Sequence, residues 1–209
     1  MNRQEEPGLK LRRSEKKDAH AATALILAAA PSLEVVLRDR ATALRAAEAA
    51  FRAERTVWSH RFGLAAEDGD VPVGLVTAFP GRMYGSLALG TGVALARAAG
   101  ARHASDLARR GRILQRLLAP IRRQTLYVSA LAVLPEHRGR GIGSRLIARV
   151  LAGAERLGLG VALDAGVEDE AALRLYERLG FRRVETRTTT TPDQGLIQIG
   201  GLVRLERMP

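Results

Sequence analysis

Val133-Leu134-Pro135-Glu136-His137-Arg138-Gly139-Arg140-Gly141-Ile142-Gly143-Ser144 joins an apolar run to an amphipathic helical pattern. Upstream, Leu126 to Leu134 has no polar face, which predicts a central strand covered on both sides and closed by Pro135. Downstream, Gly143 to Gly158 reads as a helix whose inner face carries Leu146, Ile147, Val150, Leu151 and Leu157. Between them Gly139, Gly141 and Gly143 alternate with Arg140 and Ile142. Glycines there let the chain turn tightly and leave amide N–H groups bare, so that they converge on an anion at a helix N-terminus. Arg138 and Arg140 add charge on either side, and a pyrophosphate suits the arrangement. Two other phosphate loops do not fit. Gly143-Ser144 has no lysine between them, and the dinucleotide spacing lands on Ser144 or Leu146 where it needs glycine. The plainer alternative is a strand-to-helix turn made flexible by glycine.

Further along, Leu159 to Ala165 predicts a second buried strand, and Asp169 to Leu179 a helix capped by Asp169 and ended by Gly180. Phe181 to Thr190, a turn at 192–195, and Leu196 to Leu205 read as a closing hairpin. Toward the N-terminus, residues 9–13 alternate as a strand, and Asp18 to Ala30 reads as a helix. That stretch imitates a signal peptide, but Glu5, Glu6, Glu15, Asp18 and Pro31 oppose the reading. Leu33 to Arg61 carries a long helical pattern with Leu44, Ala47, Phe51 and Trp58 on one face. Phe62 to Ala66, a turn at 67–70, and Val73 to Phe79 predict a hairpin ended by Pro80-Gly81. A Gly- and Ala-rich segment, Tyr84 to Ala99, leads into an Arg-rich helix striped by Leu107, Ile113, Leu114, Leu117 and Leu118. No repeat is evident. The element order predicts one mixed α/β domain over 1–209, with a basic helical insertion at about 82–123.

The chain has 209 residues, 46% apolar and 26% charged, which excludes a disordered or fibrous protein. With no cysteine there is no disulfide framework and no thiolate nucleophile. Met83 to Ala96 falls short of the ~20 residues that span a bilayer, so no membrane role and a cytoplasmic location are expected. The net charge is +11, and only Lys10, Lys16 and Lys17 are lysine, a bias that a GC-rich genome would explain. Its placement is uneven. Residues 82–123 hold nine basic side chains against one acid, whereas 124–209 hold twelve against ten.

Arg138-x-x-Gly141-x-Gly143 follows the strand, and Asp169, Ala172, Leu175, Tyr176, Gly180 and Phe181 form a second spaced set. Together they resemble the signatures of the GNAT superfamily of acyl-CoA-dependent N-acyltransferases, with Asp169 where the family has Asn. The resemblance is specific over 125–183, follows element order over 9–81, and is weak over 82–123, where the family often has a short connection. It implies a mostly antiparallel sheet in which the strand ending at Val133 splays from the strand at 159–165. It also implies acetyl-CoA as co-substrate and no metal. The pantetheine arm would lie on the backbone of Leu131, Ala132 and Val133. The pyrophosphate would lie on the amides of Gly139, Arg140, Gly141, Ile142, Gly143 and Ser144, beside Arg138. Tyr176 matches the general acid that protonates the leaving thiolate, although Ala172, Leu175 and Leu179 also suit it to a core position. Asp169 is either a cofactor contact or a helix cap. Where relatives place a carboxylate in the central strand this chain has Ser129 and Ala130. No spacing marks His60, Glu67 or Tyr84 as the base, and His20, His103 and His137 read as exposed.

The function implied is acetyl transfer to a primary amine by direct attack, the acceptor being a small molecule or a protein amine. The basic block would then favour acidic acceptors, or be a solvated helix face. The absent strand carboxylate keeps open a non-catalytic acyl-CoA sensor. A nucleic-acid surface is disfavoured, since Tyr84 is the sole aromatic residue in 82–120. A homodimer through the closing hairpin is left open.

Overall fold

The structure, a computed structural model, describes residues 9–100 and 104–209; Glu5, Glu6 and His103 lie outside them. Its frame is a sheet of seven strands in the order β1-β2-β3-β4-β5-β7-β6. These are β1 (Leu9–Arg13), β2 (Gly63–Asp68), β3 (Val71–Pro80), β4 (Thr125–Val133), β5 (Gly160–Gly166), β6 (Arg182–Thr188) and β7 (Gly201–Arg207). Only β4 and β5 run parallel. The expected α/β class and mostly antiparallel sheet are therefore present.

Helices cover both faces. On one, α6 (Ile142–Arg156) and α7 (Glu170–Arg178) bury Leu146, Ile147, Val150, Leu173 and Tyr176 against the sheet. On the other, α1 (Ala19–Ala29) and α3 (Arg40–Arg52) pack through Ala22, Ala43, Ala46, Ala47 and Ala50. Alanine carries little apolar area but lets helix and sheet backbones approach closely, and Leu25, Ile26 and Phe51 fill the remaining volume. The stretch that imitates a signal peptide is thus a core helix.

Three expectations need correction. The pattern over Leu33 to Arg61 is two helices, α2 (Ser32–Leu37) and α3, separated by Arg38 at a φ of 66°. Asp39 caps the second, accepting from the Thr42 N–H at 2.7 Å, and Trp58 is buried from a loop beyond it. Periodicity alone does not show the break, because α3 resumes on the same apolar face. The first hairpin turns on Gly69-Asp70 alone, with Asp68 paired to Val71. The closing hairpin has no turn at 192–195: Thr191–Ile197 is a helix, α8, started by Pro192 and ended by Gln198 at a φ of 52°.

The insertion is helical, as expected. α4 (Tyr84–Ala99) runs unbroken through its glycines. At Gly90 a Cβ would stand 1.9 Å from the Arg55 carbonyl oxygen, so this glycine permits a close approach of the two backbones. α5 (Ala104–Leu117) buries Ile113 and Leu117 against Val36 and Ile197.

Candidate active site

β4 and β5 pair from Thr125/Gly160 to Val128/Leu163 and then part. Two local features open this fork. Thr77 faces Ala130 while Ala78 faces Val128, so Ser129 is an extra residue bulged out of β4. Ser129 Oγ donates to the Val57 carbonyl at 2.6 Å and sits 2.8 Å from Thr77 Oγ1, which pins the bulge. Beyond Leu163, β5 continues its pairing with β7, Asp164 opposite Arg204. The result is a cavity of about 650 Å³.

Tyr127, Asp164 and Arg204 form one polar wall. The Tyr127 hydroxyl donates to Asp164 at 2.7 Å, and Arg204 reaches both carboxylate oxygens at 2.9 Å. Arg204 also donates to the carbonyls of Ala119 and Pro120, which anchors the segment after α5. Its side chain is 1% exposed and that of Asp164 5%. Burial, and next the Asp164 charge, push the Tyr127 phenol well up, and burial does the same to Tyr84, which packs edge-on against it.

Tyr176 stands on the other wall. Its ring packs on Phe181 at 5.7 Å, and its hydroxyl has no hydrogen-bond partner among the described residues. Burial and then the Asp169 charge raise its pKa, so it is a protonated phenol at neutral pH. Asp169 is a helix cap, accepting from the Ala172 N–H at 3.0 Å, and it also lines the cavity.

The glycine loop lies past the far end of β4. Gly139 and Gly141 have φ of 77° and 73°, a region that a side chain would strain. Gly141 immediately precedes α6, whose first-turn amides have no intrahelical acceptor. Gly143 lies beside Val133 and Leu175, so the loop abuts both β4 and α7. Arg138 donates to the Val133 carbonyl at 3.1 Å. Arg140 bonds Asp68 at 2.8 Å and approaches His137, which ties the loop to the first hairpin and offsets that charge. Leu134 N–H donates to the Val73 carbonyl, so strand alternation turns the N–H and C=O of Leu131 and Val133 to the open edge of β4. Ala132 is turned the other way, opposite Leu75.

Of the residues expected from sequence, Leu131, Asp169 and Tyr176 line the cavity, while Ala132, Val133 and 138–144 do not. His60 instead bonds the Phe51 carbonyl, Glu67 pairs with Arg12, and Tyr84 packs behind Tyr127. His137 is half-buried beside Asp68, not simply exposed. Sequence reasoning does not single out Asp164, Arg204 or Glu168. A signal exists for Asp164, the lone charge in the apolar β5, whereas Arg204 shares β7 with Glu206 and Arg207.

The wall facing the insertion is apolar, with Ala28 to Pro31, Leu114, Leu118, Ile199 and Leu202. Among the described lining residues there is no lysine or arginine, but Asp164, Glu168 and Asp169 all contribute. The insertion's arginines turn elsewhere. Arg110 is buried on Asp106 and the carbonyls of Val35 and Leu196, Arg122 reaches Glu206, and Arg97, Arg109, Arg112, Arg116 and Arg123 are exposed.

The family model described as "Acetyltransferase (GNAT) family" matches residues 33–181. The chain belongs to the GNAT acetyltransferase family. Within that family it is 42% identical over 66 residues to N-alpha-acetyltransferase MAK3 of Arabidopsis thaliana, covering 30% of this chain and 35% of that protein. It is 40% identical over 58 residues to N-alpha-acetyltransferase 30 of Schizosaccharomyces pombe, covering 27% and 39%. The matches thus span about a third of the length of these relatives. An N-acetyltransferase structure from Staphylococcus aureus Mu50 superimposes with a TM-score of 0.66 at 16% identity, covering 95% of this GNAT chain and 100% of that one. That likeness is one of fold. No described helix is long and apolar enough to cross a membrane.

Proposed function

We propose that this chain transfers the acetyl group of acetyl-CoA to the primary amine of a cationic acceptor with an apolar body. The observation that carries this reading is the fork cavity, which has a protonated phenol on one wall, carboxylates on others and no basic side chain among its described lining residues. An ammonium-bearing acceptor is attracted there, and an anionic one is repelled. The apolar wall from Leu114, Leu118 and Ile199 suits an aliphatic or aromatic body.

The residues present fit coenzyme A. Positive-φ glycines and bare first-turn amides between Gly139 and Ser144 suit a pyrophosphate, and Arg138 supplies charge beside them. The backbone edge at Leu131 and the Val133 N–H suits the amides of a pantetheine arm; the Val133 carbonyl accepts from Arg138, and Ala132 is turned to Leu75. When bound, the thioester supplies an activated acetyl carbonyl. The chain's own task is then positioning and proton transfer. Direct attack needs the free amine and no protein nucleophile. The ammonium gives one proton to solvent before attack, and the nitrogen a second as the amide forms. Tyr176 gives its proton to the leaving sulfur and regains one from solvent. Asp164 is engaged by Arg204 and Tyr127, so it shapes and polarises the wall. Glu168, exposed and bonded to the Gly200 N–H, is the carboxylate that meets the incoming ammonium group.

The test is release of free CoA thiol across a panel of amines. Aliphatic and aromatic amines and peptides with apolar N-termini should turn over, whereas acidic amino compounds should not. Tight acetyl-CoA binding without thiol release for any amine would instead support the sensor reading.

A further inference from the structure

A second hollow, of about 560 Å³, lies beneath the C-terminal half of α6. Its floor is the pleated face of the first four strands, where Leu11, Leu64, Ala78 and Leu126 are half-buried around the buried Val76, with the buried Val150 of α6 above them. Its rim holds Arg12, Arg13 and Arg61 on the strand side and Arg149 and Arg156 on α6, and no described lining residue is acidic. These arginines differ. Arg12 is engaged by Asp18 and Glu67, and Arg61 by Glu54. The side chains of Arg13, Arg149 and Arg156 make no ion pair or hydrogen bond with described residues. Gly153, between the two helix arginines, widens the hollow. A Cβ there would meet only the tip of Arg156, at 4.0 Å.

The hollow is separate from the fork. The two share no lining residue: Leu126 borders the hollow, while its neighbour Tyr127, on the opposite face of β4, lines the fork. α6 reaches both sites, with its N-terminal amides at the glycine loop and its Arg149 and Arg156 at the hollow.

We propose that this cleft binds a small amphipathic anion, an apolar chain ending in a carboxylate or a phosphate group. Half-buried aliphatic side chains at the floor of a concave site gain from an apolar ligand body. Its volume lies within the ~300–1,000 Å³ typical of small-molecule sites. Uncommitted guanidinium groups on both banks suit the bidentate geometry of a carboxylate or phosphate, and no described residue lining the cleft is acidic. The charge on the rim is thus complementary to an anionic head and repels a cationic one.

Isothermal titration of the full chain with decanoate and with decyl phosphate, both below micellar concentrations, tests this and distinguishes the two head groups. Binding of either is expected, weakening as salt is raised. Decylammonium and inorganic phosphate, which each lack half of the required chemistry, should not bind. The double substitution Arg149→Gln/Arg156→Gln should weaken binding about tenfold or more. Gly153→Leu should abolish it by filling the hollow, with the helix intact because leucine favours helix over glycine. Thermal unfolding checks that both variants remain folded. The proposal is overturned if neither decanoate nor decyl phosphate binds. It is equally overturned if decylammonium binds as well as they do, if both variants bind like the parent, or if saturating acetyl-CoA displaces the bound ligand.

Discussion

Five arginines rim the cleft under α6, whereas the fork between β4 and β5 is lined by three carboxylates and, among described residues, by no basic side chain. Both hollows are cut into one sheet of one strongly basic chain. Net charge therefore predicts neither. A guanidinium tolerates burial only when each of its nitrogens has a partner, as in Arg204 with Asp164 and two carbonyls; otherwise it stays at a rim where water reaches it. The fork can then remain electronegative inside a molecule of charge +11.

The contrast between those arginines is the easiest to break. Arg204→Ala leaves Asp164 charged, buried and without its cation, and should lower stability by about 3–5 kcal/mol. Arg149→Ala and Arg156→Ala, at rim positions with no side-chain partner among the described residues, should each stay within about 0.5 kcal/mol of the parent. Urea unfolding measures all three. Equal losses at the wall and at the rim would remove the distinction.

Within the fork, Tyr176 is the residue whose role separates chemistry from packing. Phe in its place keeps the ring contact with Phe181 and removes a hydroxyl that has no partner among the described residues. Stability and acetyl-CoA affinity should hold, while kcat falls about 100-fold or more, the lower range for a lost general acid. A retained kcat would leave Tyr176 as core.

Much of this fork is legible in the amino-acid sequence, and the reasons are local. The glycine loop can be read because φ near 75° at two positions admits little else, and the buried strand because Leu126 to Leu134 has no polar face. The helix after Asp169 can be read from its cap. What cannot be read depends on contacts distant in sequence. Nothing near Ser129 announces a bulge held by Val57 and Thr77. Leu114 and Leu118 belong to a stripe that sequence assigns to one apolar face, yet tertiary packing divides it, with Ile113 and Leu117 in a core and the other two at the cavity. α8 reads as a turn because Pro192, Asp193 and Gly195 have the composition of one, and only its packing of Ile197 against Val36 and Ile113 makes it a helix.

The loop itself can be sharpened by two glycines with different needs. Gly141→Ala must place a Cβ at a φ of 73°, which costs roughly 1–2 kcal/mol, and should weaken acetyl-CoA binding with it. Gly143 has no positive φ, and a Cβ there would meet Val133 and Leu175 at 3.8 and 3.9 Å, ordinary contact. Gly143→Ala should leave thermal stability unchanged. Any loss of affinity in that variant would therefore report crowding of the ligand and not strain of the loop.

Asp169 offers the smallest and most discriminating change, because it lines the fork, caps α7 and raises the pKa of Tyr176. Asp169→Asn keeps an oxygen for the Ala172 N–H and removes the charge, so stability should stay within about 0.5 kcal/mol, whereas Asp169→Ala should lose about 1 kcal/mol. The charge has a separate readout. A carboxylate beside a phenol disfavours the phenolate, so its removal lowers the pKa of Tyr176. If turnover needs the protonated phenol, the alkaline limb of kcat against pH should move to lower pH in Asp169→Asn and stay in place in a rim variant such as Arg149→Gln. A limb that moves in neither would uncouple the Asp169 charge from the acid and leave it as a cap alone.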